Sequence, residues 1–361
     1  MGVFFMITHD YIIVGGGLAG LAFAQYCRKN NRTFLLFEDA SQNASLIAGG
    51  LYNPVVLKRF TSIWNAQEQL QNAHDFYQEL SADLQSTLDY PLPLYRVLHS
   101  VEEQNNWFAA ADKPALSTFL ATPLVHNAHS FIEAPFHLGS VANCGYVDTK
   151  MVLQQFHQRL EKEEVLIRET FNYGDIALEE AGVTYHEIRA KHIVFAEGFG
   201  LSQNPFFHTL PLDGTKGELL VIRAPELKLD AIYKSGVFIF PLGNDLYKVG
   251  ATYDWQDKTD RPTPAAREEL IQGLKSFIKI DFEVVAHYAG VRPTVKDRRP
   301  LVGTHPLHSS VHILNGMGTR GVLLAPSMAK ALFESLERGI PLDPHVDIRR
   351  FKHFYANPYR N

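Results

Sequence analysis

The sequence predicts a mixed α/β (α+β) fold: a Rossmann-like domain for a dinucleotide, carrying an inserted domain built on a mostly antiparallel sheet. Three observations predict it. A strand, a glycine-rich turn and a helix open the chain in "HDYIIVGGGLAGLAFAQYCRKNNRTFLLFED". A second set closes it in "VHILNGMGTRGVLLAPSMAKAL". Between Pro211 and Tyr288 the pattern changes to alternating strands. At 361 residues the chain suits two domains, or one large domain with an insertion, and can bury a sizeable core.

In the opening stretch a short apolar strand leads into Gly15-Gly16-Gly17-Leu18-Ala19-Gly20, then a helix of small and apolar residues. A second strand, Thr33 to Phe37, ends at Glu38. Gly15 permits the tight turn, Gly17 lets backbone approach a pyrophosphate, and Gly20 lets helix pack on strand. The phosphates would meet unpaired N–H groups and the positive end of the helix dipole. Glu38 stands where an acid accepts hydrogen bonds from ribose hydroxyls. This stretch alone leaves FAD and NAD both open.

Regular βαβ units do not follow Glu38. Instead "SQNASLIAGGLYNPVVLKRF" supplies small residues, with Ala48, Gly49 and Gly50 suited to lie against a cofactor, and a long helix is predicted from about Trp64 to Leu88. A helix capped near Asp148, a strand from Val165 to Glu169, a hairpin-like arm and a strand from His192 to Ala196 then return to the nucleotide domain, where Gly198 again permits close approach. The strands "KGELLVIRA", "AIYKSGVFIFPLG" and "LYKVGATYDW" form the inserted sheet, and a helix from Pro264 to Lys279 follows.

Composition narrows the function. Hydrophobic residues at 46% and charged residues at 20% suit a soluble globular enzyme, and a net charge of -5 gives no general attraction for nucleic acid or anionic membrane. Cys27 and Cys144 form no disulfide framework and read as buried apolar residues of a reducing compartment. The 16 histidines show no HExxH or close His/Cys cluster, so no metal site is expected. The apolar opening "MGVFFMITHD" lacks the marks of a signal peptide, and no apolar run approaches the ~20 residues of a bilayer span, so a cytoplasmic location and no membrane partner are expected.

In order, "YIIVGGGLAG", "IAGGLYNPVV", "GYVD", "IVFAEGFG", "KGELLVI", "FIFPLGNDLYKVGATYD", "GVRPTVKDRRPLVG" and "GTRGVLLAPSMAKAL" resemble the FAD-dependent D-amino-acid oxidase (DAO) superfamily. The pattern is nearest its glycine oxidase and sarcosine oxidase branch, and is also similar to the FAD domain of the bifunctional enzyme that modifies 5-carboxymethylaminomethyluridine in tRNA. The resemblance implies an FAD-binding domain over 1-60, 141-205 and 289-361 and a substrate domain over 61-140 and 206-288. Covalent members carry a cysteine just after the strand that holds the G-x-R-P motif. Val295 follows Arg292-Pro293-Thr294 here, so the FAD is expected to be non-covalent.

By the same resemblance Arg292 faces a substrate carboxylate, which a guanidinium binds through two parallel charge-assisted hydrogen bonds. A structural ion pair with Asp297 or another nearby acid is the alternative. Arg320 in the terminal turn is placed near flavin and substrate, with Gly318, Thr319, Gly321, Val322 and Leu323 presenting backbone and a helix N-terminus to the flavin end. Lys248 corresponds to a lysine near the flavin ring that stabilises charge on oxygen. One departure stands out: the substrate-facing tyrosine of glycine oxidases is Phe238 here. Tyr233, Tyr253 and Tyr288 are the candidates to supply the missing hydroxyl.

The implied activity is oxidation of a C–N bond in a small amine or amino acid (glycine, sarcosine or D-amino-acid type), by hydride transfer from the neutral amine to flavin. Oxygen is one candidate acceptor, and a dehydrogenase that does not use oxygen is one alternative. The other is a flavoenzyme acting on the carboxymethylaminomethyl group of a wobble uridine, with tRNA as partner. Phosphate contacts need Lys/Arg clusters, and the candidates are Lys58-Arg59 and the C-terminal "DIRRFKHFYANPYRN".

Overall fold

In the computed structural model residues 7–180 and 182–352 are described. The first six residues of the apolar opening and His353–Asn361 of the basic tail lie outside them. Two compact units form: the first from residues 1–48, 149–215 and 291–361, the second from 49–148 and 216–290. The resemblance implies joints at 60/61, 140/141, 205/206 and 288/289. Two of the observed joints fall inside the continuous strands Leu212–Arg223 and Glu283–Val295, where no turn residue marks a boundary.

The first unit is built on an eight-stranded sheet. Strand Ile7–Val14 lies between Phe34–Phe37 and Ile188–Phe195, parallel to both, and His308–Asn315 pairs parallel to Ile188–Phe195 on its far side. Tyr11–Val14, Phe34–Phe37 and Ile193–Phe195 are continuous apolar runs because both faces are covered there, while the opposite ends of the first and third strands carry polar residues. On one face, helices Leu18–Lys29 and Gly321–Arg338 meet through Tyr11, Phe23 and Phe333, whose rings are 5.1 and 6.1 Å apart in sequence. Tyr11 donates to Glu337 Oε1 at 2.6 Å, which pins the first strand to the last helix. The other face buries Phe37, Phe171, Tyr185 and Phe195. The hairpin arm is Ile176–Glu179 with Gly182–Tyr185, and the latter also pairs antiparallel to the Ile188–Phe195 strand.

A seven-stranded sheet carries the second unit. Since side chains alternate across a strand and directly paired residues share a face, its register sorts the residues. One face holds Val97, Leu220, Tyr233, Ile239, Tyr247 and Val249, packed with Leu270, Leu274 and Phe277 of and beyond helix Pro264–Lys275. The opposite face carries Phe238 and Phe240 on strand Phe238–Gly243 and Lys248 and Gly250 on strand Leu246–Gly250. Over that face Tyr146 lies 4.7 Å from Phe240, centroid to centroid.

Two helices differ in length from the sequence reading. The long helix runs over Ala66–Leu84 and stops because Gln85 turns left-handed (φ 52°) and Asp89–Pro91 pairs with Gly145–Val147. Helix Pro264–Lys275 begins as expected, on a Thr263 side chain that accepts from Ala266 N at 3.2 Å. It ends before Lys279 because Lys279 N bonds Phe131 O at 2.9 Å and Ile278 bridges to Ile132. Cys27 and Cys144 are both buried free thiols. No helix among the described residues is long and apolar enough to cross a membrane, and they hold no group of three or more His, Cys, Asp or Glu suited to a metal ion.

Candidate functional site

In the first unit the predicted cofactor residues gather at the carboxyl ends of the parallel strands, where open α/β sheets bind ligands. Gly15 follows strand Ile7–Val14 with φ +103°, and a Cβ on it would lie 2.6 Å from Ala196 O. Gly17 leads into the helix that begins at Leu18, whose first-turn N–H groups have no carbonyl four residues back to bond. A Cβ on Gly20 would lie 1.9 Å from Gly15 O. Ala19 therefore sits in a turn of helix pressed against the loop. Glu38 follows strand Phe34–Phe37, accepting from Gly16 N with one carboxylate oxygen and from Ala40 N at 2.7 Å with the other.

The neighbouring strands complete the crevice. Ala196 N donates to Val14 O at 2.7 Å, and Gly198 O accepts from Asn315 Nδ2 at 3.0 Å. Past Asn315 the chain turns through Gly316 and Gly318. Gly318 N donates to Pro293 O at 3.0 Å, which sets the Arg292-Pro293-Thr294 segment beside the terminal turn. Thr319 is exposed, Arg320 is the half-buried N-cap residue of helix Gly321–Arg338, and Val322 and Leu323 are buried in its first turn. A Cβ on Gly321 would lie 3.3 Å from Leu18 Cδ1, so the two helix N-termini adjoin. Arg320 and the two glycine turns thus share one end of the eight-stranded sheet, and the Gly318 N to Pro293 O bond brings beside them the Arg292 segment, which lies on strand Glu283–Val295 of the seven-stranded sheet.

Three partners escaped the sequence reading. The Ser45 hydroxyl accepts from Leu18 N at 3.2 Å, at the helix start where an anion would bond. His157 Nε2 is 2.8 Å from Gly16 O, and burial holds its pKa below the usual histidine value. Its position in an amphipathic helix (Thr149–Lys162) gives no motif to find. Half-buried Glu197, between Ala196 and Gly198, accepts from the Tyr173 hydroxyl and from Asn204 Nδ2, the latter at 2.8 Å. Burial pushes its carboxyl up to about 7.

Ala48 closes the first stretch of the first unit, its carbonyl 3.5 Å from Thr149 Oγ1. Gly49 and Gly50 belong to the second unit. Gly50 has φ +72°, and a Cβ there would lie 1.9 Å from Val147 O. Gly49 is overlaid by Phe238, whose Cζ would be 3.2 Å from a Cβ at that glycine. Lys248 is half-buried on the same sheet face as Phe238 and Phe240. Of the tyrosines considered to replace the missing hydroxyl, Tyr233 points to the opposite, core face, and Tyr253 and Tyr288 are 60% and 42% exposed.

Parallel strands that end at a glycine-rich turn before a helix, an acid closing the second strand and a second glycine turn before another helix have the form of a dinucleotide-binding domain. The chain belongs to the DAO family, FAD dependent oxidoreductase, which it matches over residues 10–335. It is 22% identical to glycine oxidase of Bacillus subtilis over 344 residues, 88% of this chain and 90% of that protein. It is 21% identical to the tRNA 5-methylaminomethyl-2-thiouridine biosynthesis bifunctional protein of Marinobacter nauticus, covering 91% of this chain and 56% of that one. The solved glycine oxidase of Geobacillus kaustophilus superposes with a TM-score of 0.78 at 19% identity, over 96% of this chain and 98% of that one, a likeness of fold.

The residues fit FAD on their own geometry. The positive φ of Gly15, the contact that bars any side chain at Gly20, and Glu38 at the end of the second strand form a cradle that side chains would fill.

Proposed function

We propose that this enzyme oxidises the C–N bond of a small amine or amino acid, with the first unit holding non-covalent FAD and the second supplying residues that select the substrate. The single observation that carries the reading is the Gly318 N to Pro293 O bond of 3.0 Å, which seats Arg292 beside the turn that bears Arg320. FAD, when bound, supplies a two-electron acceptor. The protein's part is to bind and orient. Arg292 anchors a carboxylate, Arg320 and the adjoining helix N-terminus favour negative charge at the reactive end, and Lys248 adds a cation on the Phe238 face.

The glycine oxidase relative supports an amino-acid substrate. Phe238 in place of a tyrosine removes one hydroxyl donor, so a carboxylate depends more on Arg292. The amine reacts unprotonated, so the rate of flavin reduction rises with pH through the neutral-to-alkaline range. The test is an anaerobic screen of flavin bleaching with glycine, sarcosine, D- and L-amino acids, proline and cyclic amines. Bleaching by at least one amine and not by the matching hydroxy acid supports the reading; no bleaching by any amine sinks it. Readmitting air then sorts oxidase from dehydrogenase.

The tRNA reading has the second relative in its favour. Its proposed phosphate contacts are weaker, because Arg349 pairs with Asp347 and Arg350 with Asp297 at 2.9 Å. Lys58 and Arg59 are exposed. A salt-sensitive gel shift with tRNA would favour this second reading.

A further inference from the structure

The second unit holds two cations side by side that the reaction outlined above leaves unused. In the parallel pairing of strands Leu94–Val97 and Ile232–Lys234, Arg96 stands directly beside Lys234. Lys234 in turn pairs with Phe238, and Phe238 with Gly250. Paired residues share a face, and strands lie about 5 Å apart. Arg96, Lys234 and Phe238 therefore form one row, about 10 Å from end to end, on the face that Gly49 overlays.

Both cations are half-buried. Arg96 donates to Ser235 O at 2.8 Å, and Lys234 Nζ donates to Gly236 O at 2.7 Å. Among the described residues Arg96 has the Glu103 carboxylate 3.7 Å away, which already accepts from His99 N at 3.0 Å. His99 Nε2 meets Ser235 Oγ at 2.7 Å on the same turn. Burial and the neighbouring Arg96 bring the Lys234 ammonium down to about 8, and burial also pulls Arg96 below its usual value. Like charges brought together out of water oppose each other's ionisation. Tying the Ser235–Gly236 turn needs only N–H donors, which neutral amides supply, so the turn does not account for two charges.

We propose that Arg96 and Lys234 bind a second carboxylate of the substrate, making the preferred substrate an amine with acidic groups at both ends. This rests on the proposed function, in which the Phe238 face receives the substrate. The Arg96 guanidinium supplies a planar fork and Lys234 a compact point charge. Phe238, between them and Gly250, adds an apolar surface beside the two cations.

Binding of unreactive acids to the FAD-loaded, full-length protein tests this, read by perturbation of the flavin absorption and by the melting midpoint. Succinate is expected to bind at least tenfold tighter than butyrate. Lys234→Gln and Arg96→Gln, which keep a donor for the turn and lose the charge, should each bring that ratio below about threefold with butyrate affinity and flavin content unchanged. Lys234→Arg should keep it. In turnover, KM for iminodiacetate should rise about tenfold in Lys234→Gln while kcat stays within twofold and KM for sarcosine does not move. Equal binding of succinate and butyrate by the unmodified protein, or a preference that survives both Gln substitutions, overturns the proposal. If no amine bleaches the flavin and the succinate preference still holds, the oxidation reading fails while the anion site stands.

Discussion

Gly20 lies so close to the Gly15 carbonyl that a Cβ would come within 1.9 Å of that oxygen. The contact is with backbone, and Gly15 is itself set at φ +103° against Ala196. Neither partner can move without opening the loop. Gly20→Ala is therefore expected to push the helix off the loop and cost about 2–4 kcal/mol. Purified protein should be colourless and gain no flavin spectrum on adding FAD. A variant that retains stoichiometric flavin and its melting midpoint would show that the loop is not built on this contact.

Glu197 makes stability depend on pH. Its folded-state pKa is about 7 against an ordinary 4.5, because burial disfavours the charged form. Between those values the folded state holds a proton that the unfolded state has lost, so stability falls as pH rises from about 4.5 and the contribution is gone above about 7. The difference amounts to about 3 kcal/mol at most. Glu197→Gln removes the titration, so its melting midpoint relative to the parent should climb between pH 5 and pH 8. A parallel shift at every pH would show that Glu197 ionises normally.

A carboxylate-anchoring role for Arg292 separates from a structural one in the choice of substrate. Asp297, one acid considered as its partner, pairs with Arg350 at 2.9 Å and accepts from Arg299 N at 3.0 Å. Arg292→Met should raise KM for a carboxylate substrate by about 30–150-fold, the loss of about 2–3 kcal/mol expected for charge-assisted hydrogen bonds, with flavin content unchanged. Steady-state kinetics on a carboxylate and on its decarboxylated amine make the check. Equal losses on both would remove the carboxylate from its role.

What the sequence revealed was what the backbone itself demands. Gly15, Gly20 and Gly50 are legible because a turn or a close approach admits no other residue, and Glu38 because it ends a short strand. The Arg292 segment and the terminal turn are separate in the chain but each carries its own motif. Arg96 and Lys234 carry none: "LYRV" and "IYKS" read as ordinary half-exposed strands. Their meeting depends on the parallel register of strands that are far apart in the chain, Arg96 and Ser235 being 139 residues apart. The bonds of Glu197 to Tyr173 and Asn204 were hidden for the same reason. Tyr233, one of three candidates for the missing hydroxyl, lies on the core face, which only register decides, since one residue moves a side chain from one face to the other.

Lys216 moors the loop that leads into helix Pro264–Lys275. It is 1% exposed, with Nζ 2.5 Å from Asp257 Oδ2 and from Arg261 O and 3.4 Å from Glu218 Oε1. Glu218 is also buried, accepts from Thr263 N at 2.8 Å and Thr263 Oγ1 at 2.9 Å, and has His287 Nε2 at 2.8 Å. Removing the cation alone strands the Glu218 charge, so Lys216→Met should cost about 3–5 kcal/mol in urea unfolding. Glu218→Gln keeps the shape and removes the charge that Lys216 balances. The double variant Lys216→Met/Glu218→Gln should then be less destabilised than the sum of the singles, by about 1–3 kcal/mol, because the charges act as a unit. Strict additivity would mean that Lys216 stabilises the loop through Asp257 and the Arg261 carbonyl, and that its approach to Glu218 carries no energy.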